Sequence, residues 1–253
     1  MNVHWMFASD IDNTLTGDRK ALDELRTRID AERESGNMFL ALSTGRRLEQ
    51  VMEGFQEEGI PRGDAVISQV GTEIYLPPFR EGQEPLDVWN DMLLQDYSRE
   101  EAEQFLEGVE GVEMQPEKFN TPLKVSCYLD SAENPEEAVQ EIRRRVQKAG
   151  GLYQVIWSSG RDLDIIPAAA GKGKAIRFLI NFLELDPEYI VVAGDSGNDR
   201  SMFDEFERGI VVGNAKSELL KMREEKPVST YYFAEKSYAA GVREGLSYFG
   251  LIT

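Results

Sequence analysis

The 253-residue chain has one cysteine and one histidine. A single Cys127 allows no intrachain disulfide, so a hydrophobic core must hold the fold, and a reducing compartment suits it. Cys127 lies in the alternating run Lys124-Val125-Ser126-Cys127-Tyr128-Leu129, which reads as a strand with a buried or half-buried thiol. The lone His4 stands six residues ahead of Asp10 in an apolar stretch, so neither a Cys/His pair nor a Ser/His/Asp relay is available. Basic residues are also scarce: 28 Lys and Arg stand against 46 Asp and Glu, a formal net charge of −18. Such a field repels nucleic acid and anionic lipid head groups. The short basic cluster Arg143-Arg144-Arg145 reads as the solvated end of a helix, complementing its dipole. No apolar run reaches the length of a membrane span, and Val3 to Ala8 is too short for a signal-peptide core. The expectation is a soluble, cytoplasmic protein with no nucleic-acid or membrane partner.

What is present is an alternation of short apolar runs with longer segments of helical period. The runs are Val3–Ser9, Met38–Ser43, Ala65–Ser68, Tyr189–Gly194, Gly209–Val212 and Tyr231–Ala234. Between them lie amphipathic segments such as Arg19–Glu34, Leu48–Glu58, Lys174–Leu183 and Ser217–Glu224. Apolar strands of this kind suit a parallel sheet covered on both faces, which makes the fold class α/β with a Rossmann-like core. The middle differs. A polar stretch from Arg80 to Pro85 reads as a linker, and beyond it helical segments (Arg99–Leu106, Pro135–Ala149) mix with alternating strands (Leu123–Leu129, Leu152–Trp157). The predicted organisation is a core of residues 1–79 and 165–253 with an inserted α+β domain at 80–164.

Ligands of open α/β sheets gather at the carboxyl ends of the strands. Four clusters stand at such ends: Asp10-Ile11-Asp12-Asn13-Thr14, Ser43-Thr44-Gly45-Arg46, Gly171-Lys172-Gly173 at the start of a helix, and Gly194-Asp195-Ser196-Gly197-Asn198-Asp199. Folding would bring Asp10, Asp12, Asp195 and Asp199 to one rim, where four carboxylates repel strongly unless a cation sits among them. Mg²⁺, held by oxygen ligands and a substrate phosphate, is the expected ion. Lys172, the Thr44 hydroxyl and the Gly45 amide supply charge and donors suited to phosphate oxygens. Phosphate monoesters resist hydrolysis so strongly that accelerations up to ~10²¹-fold are needed, and an in-line carboxylate nucleophile with charge neutralisation answers that barrier. Each cluster alone has a plainer reading: Asp-x-Asp as a turn or cap, Thr44-Gly45-Arg46 as a strand-to-helix turn, Gly171-Lys172-Gly173 as a helix start. All four in order, each where a ligand would sit, point to chemistry.

Asp10-x-Asp12-x-Thr14, Thr44-Gly45, Lys172 and Gly194-Asp195-x-x-Asn198-Asp199 resemble the four ordered motifs of the haloacid-dehalogenase superfamily, in members with an α+β cap between the second and third motifs. Further runs resemble the sucrose-phosphate phosphatases: Gly17-Asp18, Gly71-Thr72-Glu73-Ile74-Tyr75, Ser158 to Pro167, and Gly194-Asp195-Ser196-Gly197-Asn198-Asp199. The resemblance implies Asp10 as nucleophile and metal ligand, Asp12 as general acid and base, and Thr44, Gly45 and Lys172 as phosphate holders. It implies an Mg²⁺ site drawn from Asp10, Asp12, Asp195, Asn198 and Asp199. Arg46, Glu73, Lys124 and Asp162 are candidates for sugar contact, with a salt bridge as the competing role for each. The implied reaction is hydrolysis of sucrose 6-phosphate, and the implied partner a sucrose-phosphate synthase. Alternatives are a phosphatase for mannosyl- or glucosylglycerate or glucosylglycerol phosphate, a phosphohexomutase, and a non-catalytic partner of the synthase. One departure bears on the sugar: where that family has Ser-His-Ala-Gly, this chain has Ser237-Tyr238-Ala239-Ala240-Gly241.

Overall fold

The computed structural model describes residues 4–186, 188–225 and 231–252. Two compact units are formed, one from the chain up to Pro85 and from Lys172 onward, the other from Leu86–Gly171. The first unit begins with β1 (Trp5–Ser9), α1 (Arg19–Glu34), β2 (Met38–Ser43), α2 (Leu48–Glu57), β3 (Ala65–Ser68) and β4 (Glu73–Tyr75). The second contains α3 (Asp87–Leu94), α4 (Arg99–Gln104), β5 (Glu113–Met114), β6 (Val125–Tyr128), α5 (Pro135–Lys148), β7 (Tyr153–Ser158) and β8 (Asp162–Pro167). The first unit then resumes with α6 (Lys172–Phe182), β9 (Tyr189–Gly194), α7 (Arg200–Glu205), β10 (Arg208–Val211), α8 (Ser217–Leu220), α9 (Met222–Glu225), β11 (Tyr231–Phe233) and α10 (Tyr238–Tyr248).

Among the described residues, the first unit's sheet has the order β11-β10-β9-β1-β2-β3-β4, parallel except for the β3–β4 pair. Every residue of β1 and β2 is buried, as the unbroken apolar runs require for strands covered on both faces. Helix α1 shows how local sequence sets an element. Asp18 caps it by accepting the Ala21 N–H (3.1 Å), and Leu22, Leu25 and Ile29 form its buried stripe. Strand β1 lies between β9 and β2, so the chain reverses its direction of growth across the sheet there, and β1 and β9 end side by side at the switch point.

The second unit's sheet runs β5-β6-β8-β7 and is antiparallel throughout. Helix α5 is capped by Asn134, begins with Pro135, and buries Ala138, Val139, Ile142 and Val146. Arg144 and Arg145 both pair with Glu141 on the same helix, and Arg145 also donates to the Phe105 and Glu107 carbonyls. That basic cluster thus works partly as a tie between segments. The Cys127 thiol is buried in β6, and burial pushes it up to about 12, which keeps it protonated.

Three details differ from the sequence reading. Strand β8 continues to Pro167 inside the antiparallel sheet, so the second unit ends at Gly171 and not at 164; the alternation Asp162-Leu163-Asp164-Ile165 is that of a strand with one polar face. Strand β4, only three residues long, adds an antiparallel edge to the large sheet. His4 lies ahead of β1, exposed, with Nδ1 3.3 Å from Glu188, and the expected strand residue Val3 lies outside the described residues.

Candidate active site

The parallel register aligns the strand ends. Ser9 of β1 pairs with Ala193 of β9, and Asp10 N–H donates to the Ala193 carbonyl at 3.0 Å. On the other side Ser9 pairs with Leu42 of β2, one residue before Ser43 and Thr44. Asp10, Asp195 and Thr44 therefore leave adjacent strands at the same edge.

Lys172, the first residue of α6, is fully buried and organises the site. Its Nζ donates to Asp10 Oδ1 (2.7 Å), Asp199 Oδ1 (2.6 Å) and Asn198 Oδ1 (3.0 Å). An ammonium has three donors, and all three are used on protein oxygens. The phosphate contact expected of Lys172 would require one of these bonds to exchange. Burial works against its charge, but Asp10 and Asp199 together hold it above the ordinary lysine range.

Asp199 is saturated. Oδ1 accepts a hydrogen bond from the Lys172 ammonium, and Oδ2 accepts the Asp195 and Ser196 N–H groups at 2.9 and 3.0 Å. Gly194 makes this possible, because a Cβ there would stand 2.5 Å from the Asp199 Cβ. Asp10 Oδ2 accepts the Thr14 hydroxyl at 3.4 Å. Among the described residues, Asp10, Asp195 and Asp199 form a buried group with one oxygen from each within 4.8 Å of the others. Burial raises Asp10 well above the carboxylate range; Lys172 pulls it back, and the charges of Asp199 and Asp195 add to the rise. Asp195 is pushed up to about 7 by burial and then by Asp199. Fully ionised, three carboxylates around one ammonium would leave two negative charges in a buried space. A hard divalent cation matches that charge and those oxygen donors, so these residues fit one.

Of the residues expected around the ion, Asp12 and Asn198 have other partners in the structure. Asp12 is half exposed and lies outside the buried acidic group, its Oδ1 2.7 Å from Arg46 Nη2 and its Oδ2 3.0 Å from Nε, though its charge still reaches Asp195. The guanidinium on the loop after β2 gives it the opposite charge that an ion would otherwise supply. Asn198 directs its amide oxygen to Lys172, and the Ser196 hydroxyl donates to the same oxygen at 3.3 Å. Thr44 Oγ1 accepts the Arg46 N–H (3.1 Å), the turn of the plainer reading, while Gly45 is exposed, with Val70 in ordinary contact distance of an added Cβ at 3.9 Å.

The four sugar-contact candidates are engaged within their own units. Arg46 bridges Asp12 and Glu58. Glu73 accepts the Ser68 and Tyr75 hydroxyls at 2.8 and 3.0 Å. In the second unit, Lys124 is buried and donates to Ser126 Oγ (2.8 Å) and Asp164 Oδ1 (3.5 Å), and Asp162 accepts from Gln115 Nε2 (3.1 Å). Sequence reasoning placed Thr14 in a motif without giving it a role, and it missed Glu58, Ser126 and Asp164 as partners of the candidate residues. For Ser126 and Asp164 a signal existed: both face the same way as Lys124 by the two-residue strand period, and they pair across β6 and β8.

Residues 3–250 match the sucrose-6F-phosphate phosphohydrolase family. The chain belongs to that family. It is 30% identical to mannosylfructose-phosphate phosphatase of Agrobacterium fabrum, over 97% of each chain. It is 31% identical to sucrose-phosphatase 1 of Nicotiana tabacum, matching 97% of this chain but only 59% of the tobacco protein. The crystal structure of the Synechocystis sucrose-phosphatase in complex with sucrose and phosphate superimposes with a TM-score of 0.89, at 31% identity and 98% coverage of both chains. Family membership makes the chain a phosphoric monoester hydrolase that acts on sugar phosphates, and its fold is shared with a haloacid dehalogenase-like hydrolase of Bacillus subtilis (TM-score 0.67, 18% identity, 99% of this chain and 93% of the other). No helix among the described residues is long and apolar enough to cross a membrane.

Proposed function

We propose that the chain hydrolyses sucrose 6-phosphate with Mg²⁺ through an aspartyl-phosphate on Asp10. The observation that carries this reading is Asp10 itself, buried at the switch point, held by Lys172 at 2.7 Å and grouped with Asp195, in a chain that matches the family over residues 3–250. Asp10 and Asp195 would hold the ion, with Asp199 fixing Lys172 and the Asp195–Ser196 amides around them. When bound, Mg²⁺ neutralises phosphate charge and offsets the repulsion among the carboxylates.

Asp10 attacks phosphorus while the bond from phosphorus to the sugar oxygen breaks, its electron pair staying on that oxygen. Asp12 gives the leaving oxygen a proton. In the second step water attacks phosphorus and yields its proton to Asp12, and Asp10 is released as a carboxylate with free phosphate. Thr44 and Gly45 line the approach to the phosphate. A single buried thiol and the absence of a disulfide suit a cytoplasmic setting, and a synthase that makes the sugar phosphate is the partner this reading implies.

A mannosylfructose phosphate substrate is the second reading, supported by the Agrobacterium relative and by Tyr238, where the chain departs from the Ser-His-Ala-Gly that the sucrose-phosphate phosphatase resemblance implies. Tyr238 has φ 53°, and its ring packs on Gly17, just past the Asp10 loop. Phosphate release from a panel of disaccharide and glycosyl phosphates tests both readings. Sucrose 6-phosphate should give the highest kcat/KM; equal rates across the panel would remove the sugar assignment. Isomerised sugar phosphate without free phosphate would indicate a mutase, and no turnover on the whole panel a non-catalytic role.

A further inference from the structure

Arg46 has two carboxylate partners, and only one of them belongs to a recognised motif. Its Nε and Nη2 face Asp12, while Nη2 donates to Glu58 Oε2 at 2.9 Å and Nη1 contacts Glu58 Oε1. Glu58 is the residue that ends α2, twelve positions beyond Arg46. The guanidinium side chain is only 14% exposed, whereas the Asp12 and Glu58 side chains are 50% and 40% exposed. The guanidinium lies against the α2 backbone at Gly54, where an added Cβ would come within 3.0 Å of Nη1. Both of its edges are thus occupied and its position is fixed.

We infer that Glu58 is a positioning residue for the phosphatase reaction, holding Arg46 so that Arg46 can hold Asp12. Asp12 sits half exposed on a loop, and a free carboxylate there would sample several rotamers. A fork-shaped guanidinium sets the orientation of a carboxylate as a point charge cannot, but only if the guanidinium is itself held. Glu58 supplies that second attachment. The Glu58 carboxylate is 40% exposed, so solvent can take up much of what its loss removes, and the expected consequence is chiefly catalytic.

The inference rests on Asp12 as the proton donor, and leaving-group chemistry separates the two. A sugar alkoxide needs a proton as it departs, whereas a p-nitrophenolate does not. The first step alone is compared through kcat/KM. Asp12→Asn should reduce kcat/KM for the sugar phosphate by roughly 10²–10⁴-fold and reduce it far less for p-nitrophenyl phosphate. Glu58→Gln should show the same selectivity at smaller size, roughly ten-fold on the sugar phosphate, a fraction of the acid's whole contribution. Its inhibition constant for inorganic phosphate and its melting temperature should stay near those of the parent, and Glu58→Asp should recover part of the loss. If Asp12→Asn is selective and Glu58→Gln is not, whether through no loss or an equal loss on both substrates, the role of Glu58 is overturned while the proton donor stands. If Asp12→Asn is itself unselective, both fall.

Discussion

Each unit of the molecule buries a lysine against carboxylates, and the two lysines are set up for different ends. In the parallel-sheet unit Lys172 has no exposed surface and two close carboxylates, Asp199 and Asp10, with Asp195 beside them. In the antiparallel unit Lys124 faces Ser126 and one carboxylate, Asp164, at 3.5 Å, and Ser126 Oγ completes the circuit to Asp164 at 2.6 Å. The second arrangement is close to neutral and satisfies its own polar groups. The first, fully ionised, carries surplus negative charge, which protons on its carboxylates or an external cation must offset. Surplus buried charge, more than burial alone, marks the reactive end of this molecule.

The comparison is broken most severely at Asp10. Asp10→Asn should lower turnover by ~10⁴-fold or more, since an amide cannot attack phosphorus, with the far-ultraviolet circular dichroism unchanged. Near-normal turnover would remove the proposed chemistry and leave the carboxylate group as a structural feature only.

Exchanging the lysines tests the contrast in stability. Lys172→Met leaves Asp10 and Asp199 without their counter-charge and should cost about 3–5 kcal/mol in urea unfolding without Mg²⁺. Lys124→Met removes one good hydrogen bond and one long ion pair and should cost about 1–3 kcal/mol. Equal losses would mean that the two clusters are balanced alike.

A smaller effect concerns pH. The ordinary value for Asp195 is 3.8 and its folded value is about 7, so the metal-free folded state holds a proton that the unfolded chain releases between these limits. A raised folded pKa means that stability falls as pH rises through that window. Mg²⁺ competes with the proton, so the stabilisation from added Mg²⁺ should grow from pH 5 to pH 8. Melting curves with and without Mg²⁺ measure this, and a stabilisation independent of pH would show that the ion is not bound at these carboxylates. The second unit should show no Mg²⁺-dependent change in amide exchange around Lys124.

The placement of motifs was legible because strand ends are marked twice in the sequence, by the close of an apolar run and by the polar or glycine residue after it. Asp10, Thr44 and Asp195 were located that way, and the structure puts them at one edge. The second unit was harder to read. The run Ser158 to Pro167 was read for its family resemblance and not as a strand, and its pairing with β6 and β7 shows Asp162 and Asp164 on one polar face. Glu58 carries no local mark at all, as a glutamate at a helix end is ordinary.

The chain alone determined which chemical groups were available: a carboxylate nucleophile, a nearby lysine, a surplus of acid, and no thiol or imidazole catalyst. Apolar periodicity also determined the parallel sheet, because burial on both faces demands unbroken hydrophobic strands. The tertiary structure alone decided how those groups divide their bonds. Lys172 lies 162 positions from Asp10, and Arg46 lies 34 from Asp12. Which carboxylate faces the lysine and which the arginine depends on distances and burial, since charge interactions follow separation in space and not order along the chain.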